Sequence, residues 1–140
     1  MKTIKHSSRI LVIHGPNMNL LGFRTKEKKQ HITLDKLNRC LRKTASEYKI
    51  EIKIIQSNDE SWTATAIHRM RNKIAGILLF PGPWQSSAHI LKDTLEILSI
   101  PYVTVSVGEK ENILKGIKNI EEKDIYKSSE KALKELRKLI

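Results

Sequence analysis

Apolar runs of strand length alternate with stretches of helical periodicity along most of this chain. Residues 9–14, 76–80 and 102–107 are nearly continuous β-branched and aliphatic runs, and residues 50–56 alternate apolar with polar positions. Each run is followed by Gly, Pro, Ser or Asn, which are typical of loops. The length and residue types of these four runs predict four strands.

Helical periodicity fills the segments between these strands. Thr33 is placed to cap a helix with apolar positions at Leu34, Leu37, Leu41 and Ala45. Further helices are predicted over residues 60–72 and 85–98, and the first of these has an apolar side at Trp62, Ala66 and Met70. Residues 128–139 predict a terminal amphipathic helix. Residues 109–125 show no clear period, so the pattern predicts no fifth strand there.

Strands joined by helix-length connections predict right-handed crossovers and therefore a parallel sheet. The expected fold class is α/β, with three layers, four or five strands and helices on both faces. The length predicts one domain over residues 1–140. Ligands of open parallel sheets bind beyond the carboxyl ends of the strands. Polar, Gly-rich and Pro-rich residues at 14–17, 56–58, 80–84 and 105–108 therefore predict a pocket at that edge.

Composition narrows the possible classes of protein. A chain with 29% charged and 39% hydrophobic residues is neither disordered nor fibrous. Its apolar runs are far shorter than the roughly 20 residues of a membrane-spanning helix, and no signal peptide follows Met1. A cytoplasmic location without a membrane partner is therefore expected. The single Cys40 and the spacing of five histidines predict no disulfide and no metal site. Nucleotide-binding glycine motifs are absent, and no cofactor is expected.

The positive charge is concentrated at the amino-terminal end. The chain carries a net charge of +11, of which +9 lies in residues 1–49. This charge is compatible with a nucleic-acid surface, attraction of an anionic substrate, or solubility. Nucleic acid is disfavoured as a partner because no aromatic platform interleaves with the cations. The basic segment at residues 24–31 is either a solvated loop or a lid that brings cations over an anionic substrate.

The run ILVIHGPNMNLLG at residues 10–22, followed by Arg24, resembles the amino-terminal signature of the type II 3-dehydroquinate dehydratases. Matches continue in family order at Thr33-Leu34, Gln56-Ser57-Asn58, Gly82, Lys92-Asp93 and Pro101. The resemblance covers about residues 9–107. It implies a flavodoxin-like sheet and homo-oligomers, either trimers or dodecamers. It also implies elimination of water from a cyclic hydroxy-keto-acid through an enolate.

The resemblance implies catalytic roles for three residues. Asn17 matches the loop asparagine that positions a water for the enolate. Arg24 matches the lid arginine that helps to polarise the substrate. Lys29 stands where the family has its tyrosine base, so it becomes the candidate base if its surroundings favour the free amine.

The resemblance also implies substrate contacts, several of them at substituted positions. Gly82, Ser86 and Ser106 are the candidate contacts, and Asp93 is expected to reach the site of a neighbouring subunit. Ser86 replaces the family's histidine in the turn that binds substrate, and Ser106 replaces the histidine that acts as acid. Phe80 replaces an asparagine, which makes the expected pocket more apolar.

Two functions follow from this pattern. The first is a divergent lyase, or a related proton-transfer enzyme, acting on a small anionic molecule with few hydroxyl groups. Because the family's base and acid are both substituted, standard 3-dehydroquinate dehydration is not expected. The alternative is a non-catalytic small-molecule-binding or scaffold protein on the same fold.

Overall fold

The computed structural model of the protein describes residues 9–121 and 124–140. Its centre is a five-stranded sheet of β1 (Arg9–His14), β2 (Glu51–Gln56), β3 (Gly76–Phe80), β4 (Tyr102–Ser106) and β5 (Lys118–Glu121). The strand order is β2-β1-β3-β4-β5, and every neighbouring pair is parallel. This is the order of flavodoxin-like sheets, so the predicted fold class is confirmed.

Helices cover both faces of the sheet. The helices are α1 (Leu21–Thr25), α2 (Leu34–Glu47), α3 (Glu60–Met70), α4 (Trp84–Ser87), α5 (His89–Leu98) and α6 (Ile125–Arg137). One core forms under α2 and α6, where Leu41 and Leu133 pack against Val12. The other forms under α3 and α5, where Ile67 and Leu91 pack with Ile13. Since both faces of β1 and β3 are buried, their sequences are continuous apolar runs.

Side-chain caps set where three helices begin. Thr33 accepts a hydrogen bond from the Lys36 amide and starts α2 where the sequence predicts it. Asp59 caps α3 in the same way. Asp124 accepts from the amide of Tyr126, so α6 begins at Ile125, three residues before the predicted start at residue 128.

The fifth strand is the main feature that the hydrophobic pattern misses. β5 has four residues and lies at the edge of the sheet, and only Ile120 among them is buried. A strand that buries one side chain gives almost no alternation to detect. The segment without a clear period therefore contains a strand, and the sheet has five strands.

Two predicted helices also differ from the structure. The helix predicted over residues 85–98 is divided at Ala88, whose ψ of 64° is not helical. In α3 the buried side is formed by Thr63, Ala64 and Ile67. Trp62, Ala66 and Met70 share one side of α3 as predicted, but that side is only partly buried, and Trp62 is 53% exposed. Ile67 is the one large apolar residue on the buried face of α3. A single such residue gives no periodic pattern, so the sequence does not indicate this face.

Candidate functional site

The carboxyl ends of β1, β3 and β4 open into one cleft of about 650 Å³. The loops after β1 and β3 lie against each other there, because the Gly15 amide donates to the Phe80 carbonyl at 2.8 Å. A Cβ on Gly15 would lie 2.7 Å from the Pro81 carbonyl oxygen, so only glycine allows this approach. The contact brings both loops to one side of the cleft.

The floor of the cleft is apolar. Six buried side chains contribute to it: Met18, Leu21, Ile32, Phe80, Val105 and Ile125. They come from both ends of the chain and from two adjacent strands. A ligand with a hydrocarbon body gains free energy on such a surface because apolar area is removed from water.

The rim of the cleft carries charge of both signs. Arg24, Lys28 and Lys29 line one side and are exposed. Glu109 lines the cleft too and is half-buried. Within the described residues, none of the three cations forms a salt bridge. Their charge is therefore available to an anion entering the cleft.

The segment at residues 26–33, here the α1–α2 loop, carries two of these cations. The Thr25 hydroxyl donates to the Ile32 carbonyl at 2.7 Å and accepts from the Ile32 amide at 2.9 Å. This buried pair closes the loop at its two ends. Residues 26–31 between them are all exposed, so Lys28 and Lys29 extend over the cleft from a loop anchored at its base.

The segment at residues 107–117, here the β4–β5 loop, forms another wall. The Gln85 side chain donates to the Leu114 carbonyl and accepts from the Leu114 amide, both at 2.8 Å. Both residues are buried. The side-chain amide of Gln85 thus pairs with the Leu114 backbone as a neighbouring strand would, and it fixes the middle of the loop against α4. Glu109 is held between this anchor and the end of β4.

The structure brings three of the sequence-predicted site residues to the cleft. Arg24, Lys29 and Gly82 line it, and Gly82 has a φ of +54°. Asn17 lies in the loop after β1 with a left-handed backbone, at φ +67°. Its amide donates to Asn58 Oδ1 at 2.9 Å, and its side chain is exposed and does not line the cleft.

The other three predicted site residues lie elsewhere. Ser86 is exposed on a smaller adjoining cavity of about 260 Å³, and its hydroxyl donates to the Pro83 carbonyl at 3.1 Å. Ser106 is buried on the opposite side of the sheet from the cleft floor, where its hydroxyl donates to Asn119 Oδ1 at 2.8 Å. Asp93 is exposed on α5 and lines neither cavity.

Glu109 is the cleft residue that sequence reasoning passes over. It lies in the segment without a clear period, where the resemblance offers no counterpart. One signal for it is present in the sequence: it is the first carboxylate after the end of the fourth predicted strand. That position is at the edge of the sheet where ligands bind.

His14 supports the floor of the cleft from behind. Its Nε2 lies 2.8 Å from Asn38 Oδ1, and its ring stacks on Phe80 with centroids 4.8 Å apart. Burial lowers the pKa of His14 from 6.5 to about 4, and the hydrogen bond with Asn38 opposes this only partly. The imidazole is therefore neutral near pH 7 and adds no charge beneath the cleft.

A second groove, of about 680 Å³, lies at the opposite end of β4. It is lined by Tyr102 at the start of the strand and by Lys92 and Glu96 of α5, which pair at 2.8 Å. It is more open than the cleft, and Lys115 is the cation in its lining that is outside the Lys92–Glu96 pair. The cleft at the carboxyl edge is the better candidate, because parallel sheets place their ligands there.

Neither a metal-ligand cluster nor a membrane-spanning helix occurs within residues 9–121 and 124–140. No group of three or more His, Cys, Asp or Glu side chains that could hold a metal ion occurs in these ranges. No helix in these two ranges is long and apolar enough to cross a bilayer.

Comparison with known proteins gives a consistent result. Residues 8–115 match the family model described as dehydroquinase class II. The 3-dehydroquinate dehydratase of Halothermothrix orenii is 37% identical over 101 residues, which cover 72% of this chain and 68% of the relative. That of Caldanaerobacter subterraneus subsp. tengcongensis is 34% identical over 100 residues, covering 71% and 68%. The crystal structure of type II dehydroquinase from Propionibacterium acnes superposes with a TM-score of 0.83 at 23% identity. It covers 95% of this chain and 98% of that one.

Proposed function

The chain belongs to the class II dehydroquinase family, and from that membership we propose that it performs lyase-type proton transfer on a small anionic carbonyl compound. The resemblance stated from the sequence is confirmed at the level of the family. Relatives named 3-dehydroquinate dehydratase are hydro-lyases. The finer proposal is that this chain acts on a carboxylate whose carbon skeleton carries fewer hydroxyl groups.

The observation that carries the proposal is a cationic rim above an apolar floor in one cleft. Arg24 supplies a planar guanidinium that suits a carboxylate, and Lys29 adds a second positive charge. Phe80 in the floor offers no hydrogen bond to a ring hydroxyl. A hydroxyl buried there without a partner costs about 1–3 kcal/mol. The cleft therefore favours an acid with an apolar body.

We assign Lys29 the role of stabilising negative charge, and not the role of base that the resemblance implies. Burial converts a lysine ammonium to a free amine near neutral pH, and Lys29 is exposed. Its ammonium is instead suited to balance negative charge that develops on the substrate oxygen. Gly82 lines the cleft, and its backbone remains a proposed polar contact. Asn17, in the loop after β1, and Ser86, on the adjoining cavity, stay proposals that require the ligand to reach beyond the cleft.

The test compares two acids that differ in hydroxyl content. 3-Dehydroquinate and 3-hydroxy-5-oxocyclohexanecarboxylate are both β-hydroxy ketones, and loss of water from either gives a conjugated enone with near-ultraviolet absorbance. We expect the less hydroxylated acid to bind more tightly and to form enone faster at high protein concentration. If 3-dehydroquinate is the better substrate, the proposal of a changed specificity is wrong.

Arginine variants test whether the cleft is the binding site. Arg24→Ala should weaken binding of the acid by tenfold or more, since charge-assisted hydrogen bonds contribute about 1.5–3 kcal/mol. Arg42→Ala is the matched control, because Arg42 is an exposed arginine of α2 outside the cleft. Equal affinities for the two variants would place the anion elsewhere.

A non-catalytic binding function is the second candidate, and the environment of Ser106 favours it. Ser106 stands at the position of the family's acid, but its hydroxyl is committed to Asn119. A binding protein would show saturable binding of the acid, dependent on Arg24, with no enone formed. Such a result would reject the lyase proposal and keep the cleft.

Asp93 enters the proposal only through assembly of several copies. It is exposed on α5 and lines neither cavity of its own chain. A contribution to a site therefore requires a neighbouring copy. Sedimentation of the protein should then show a homo-oligomer, and Asp93→Ala should weaken acid binding only in the assembled form. A purely monomeric protein that binds the acid would remove Asp93 from the site.

A further inference from the structure

We propose that Glu109 is the proton-transferring residue of this cleft, serving first as base and then as acid in the elimination of water. This assignment rests on the proposed lyase function. Within the described part of the chain, Glu109 provides the only carboxylate that lines the cleft. It also lines the smaller adjoining cavity, so it lies where the two spaces meet.

The hydrogen bonding of Glu109 leaves half of its carboxylate available. Oε2 accepts a hydrogen bond from the Val107 amide at 2.6 Å, which fixes the side chain against the end of β4. Oε1 accepts no hydrogen bond from any described residue, and no described cation forms a salt bridge with the group. One oxygen is therefore anchored, and the other is free to exchange a proton with a ligand.

The cations and the apolar floor of the cleft provide what a carboxylate base needs from its surroundings. Arg24 and Lys29 line the same cleft, and their charge stabilises a substrate carboxylate and an enolate oxygen. The apolar floor excludes water from the ligand, so the carboxylate acts on carbon in a less polar medium than bulk water. The remaining candidates are less suited, because Lys29 is exposed and Ser106 points away from the cleft.

Glu109 alone can carry the one proton that the elimination moves. Its Oε1 removes a proton from the carbon between the ketone and the hydroxyl-bearing carbon, and the C–H electron pair moves to form the enolate. Glu109 is now a carboxylic acid. The enolate re-forms the ketone as the C–O bond breaks, and the departing hydroxyl takes the proton from Glu109. Enone and water leave, and the carboxylate is restored without an oxidant, a reductant or a metal.

The test separates proton removal from elimination. 3-Oxocyclohexanecarboxylate has acidic protons beside its ketone but no hydroxyl to lose, so its exchange with deuterium oxide, followed by NMR, reports the base alone. We expect wild-type protein to accelerate exchange saturably. Glu109→Gln should slow exchange by 100-fold or more, since removal of a general base costs 10²–10⁴ in rate. Glutamine retains an oxygen for the Val107 amide, so the loop keeps its anchor.

Affinity and a matched control complete the experiment. Glu109→Gln should bind the acid as tightly as wild type or severalfold more tightly, because one negative charge is removed from an anion site. Glu27→Gln removes an exposed carboxylate that lines neither cavity, and it should leave exchange unchanged. Glu109→Asp should retain part of the exchange rate, because it preserves the carboxylate at a shorter reach.

The outcomes separate failure of the role of Glu109 from failure of the proposed function. Exchange retained within threefold in Glu109→Gln overturns the role of Glu109 while the lyase proposal stands. Wild-type protein that binds the acid but does not accelerate its exchange overturns the role of Glu109 and leaves the binding function. Wild-type protein that does not bind the acid overturns both proposals. Loss of acid binding in Glu109→Gln would overturn the assignment, because a residue that only moves the proton is not needed for binding.

Discussion

The two loops that form the walls of the cleft are anchored at different points along their length. The α1–α2 loop is tied at its ends by Thr25 and Ile32, and residues 26–31 between them are all exposed. The β4–β5 loop is tied in its middle, where Leu114 is fully buried and pairs with the Gln85 side chain. The Lys28 and Lys29 ammonium groups of the first loop form no salt bridge with a described residue, so they can meet a ligand. Polar groups in the second loop are largely used to hold the chain.

Because of this difference, one loop supplies charged groups for a ligand, and the other supplies hydrogen bonds that stabilise the fold. Cations on the α1–α2 loop should act on ligands and contribute little to folding, because exposed charges add little stability. Buried hydrogen bonds of the β4–β5 loop should act mainly on folding, because each leaves an unsatisfied group when removed. Glu109 is the exception on its loop, with one oxygen anchored and one free. Substitutions in the two loops should therefore change different measurements.

The largest effect is expected from breaking the anchor of the β4–β5 loop. Gln85→Met keeps the volume of the side chain but removes both of its hydrogen bonds to Leu114. A buried amide and a buried carbonyl lose their partner, at about 1–3 kcal/mol each. We expect the free energy of unfolding, measured by urea denaturation, to fall by about 4 kcal/mol.

The neighbouring residue provides the control for this change. Ser86 is exposed, and its hydroxyl bonds only to the Pro83 carbonyl within its own turn. Ser86→Ala should change the free energy of unfolding by less than about 0.5 kcal/mol. Should Gln85→Met also fall within that range, the β4–β5 loop is not anchored by its buried amide, and the contrast between the loops disappears.

The second effect concerns the floor that the two loops share. His14 has a pKa of about 4 in the folded protein and 6.5 when unfolded, because burial disfavours its charged form. The unfolded chain therefore binds more protons between these values. From this group alone, the free energy of unfolding should fall as pH drops from about 7 to 4, by about 3 kcal/mol in total, and change little below that.

Two histidine variants isolate this contribution. His14→Gln places an uncharged amide within reach of Asn38, so the dependence on pH between 4 and 7 should become shallower by that amount. His68→Gln changes an exposed histidine of α3 and should leave the dependence as in wild type. Urea denaturation at several pH values measures both. Parallel curves for wild type and His14→Gln would show that the floor does not hold a neutral imidazole.

The same contrast explains which features could be predicted from the sequence. β1 and β3 are predicted to the residue because burial on both faces leaves a continuous apolar run. β5 escapes prediction because it buries only Ile120. Arg24 was predicted from a loop signature that the chain retains, and Lys29 from its position where the family has a tyrosine. Glu109 was not, because its loop is held by a contact between Gln85 and Leu114 that is distant along the chain.

Strand pleating limits what position alone can say about the site. Successive residues of a strand face opposite sides of the sheet. Val105 lines the cleft, so Ser106 faces away and bonds to Asn119. Placing Ser106 at the end of the fourth strand was correct, but its side chain points away from the cleft. The register of β4 fixes which face each residue takes: Val103 pairs with Leu78 of β3, and Val105 pairs with Ile120 of β5.

A smaller effect is expected from opening the base of the α1–α2 loop. Thr25→Val preserves the shape of the side chain but removes the hydroxyl that bridges the Ile32 amide and carbonyl. The free energy of unfolding should fall by about 2 kcal/mol, because these backbone groups are buried. Acid binding should weaken as well, since Lys28 and Lys29 lose their position over the cleft. A variant that loses stability with unchanged affinity would mean that the closed loop does not position the cations.

The smallest effect tests whether the cations of this loop act on the ligand alone. Lys29→Gln removes a charge from the cleft rim, whereas Lys26→Gln removes the same charge from an exposed position outside it. We expect Lys29→Gln to weaken binding of 3-oxocyclohexanecarboxylate about threefold at low salt, with a smaller change for Lys26→Gln. Neither should change the free energy of unfolding by more than about 0.5 kcal/mol. Because charge at the rim is screened by ions, the difference between the variants should shrink in calorimetric titrations as salt increases. A difference that persists at high salt would mean that Lys29 makes a direct, desolvated contact, so that this loop, like the β4–β5 loop, works through contacts shielded from solvent.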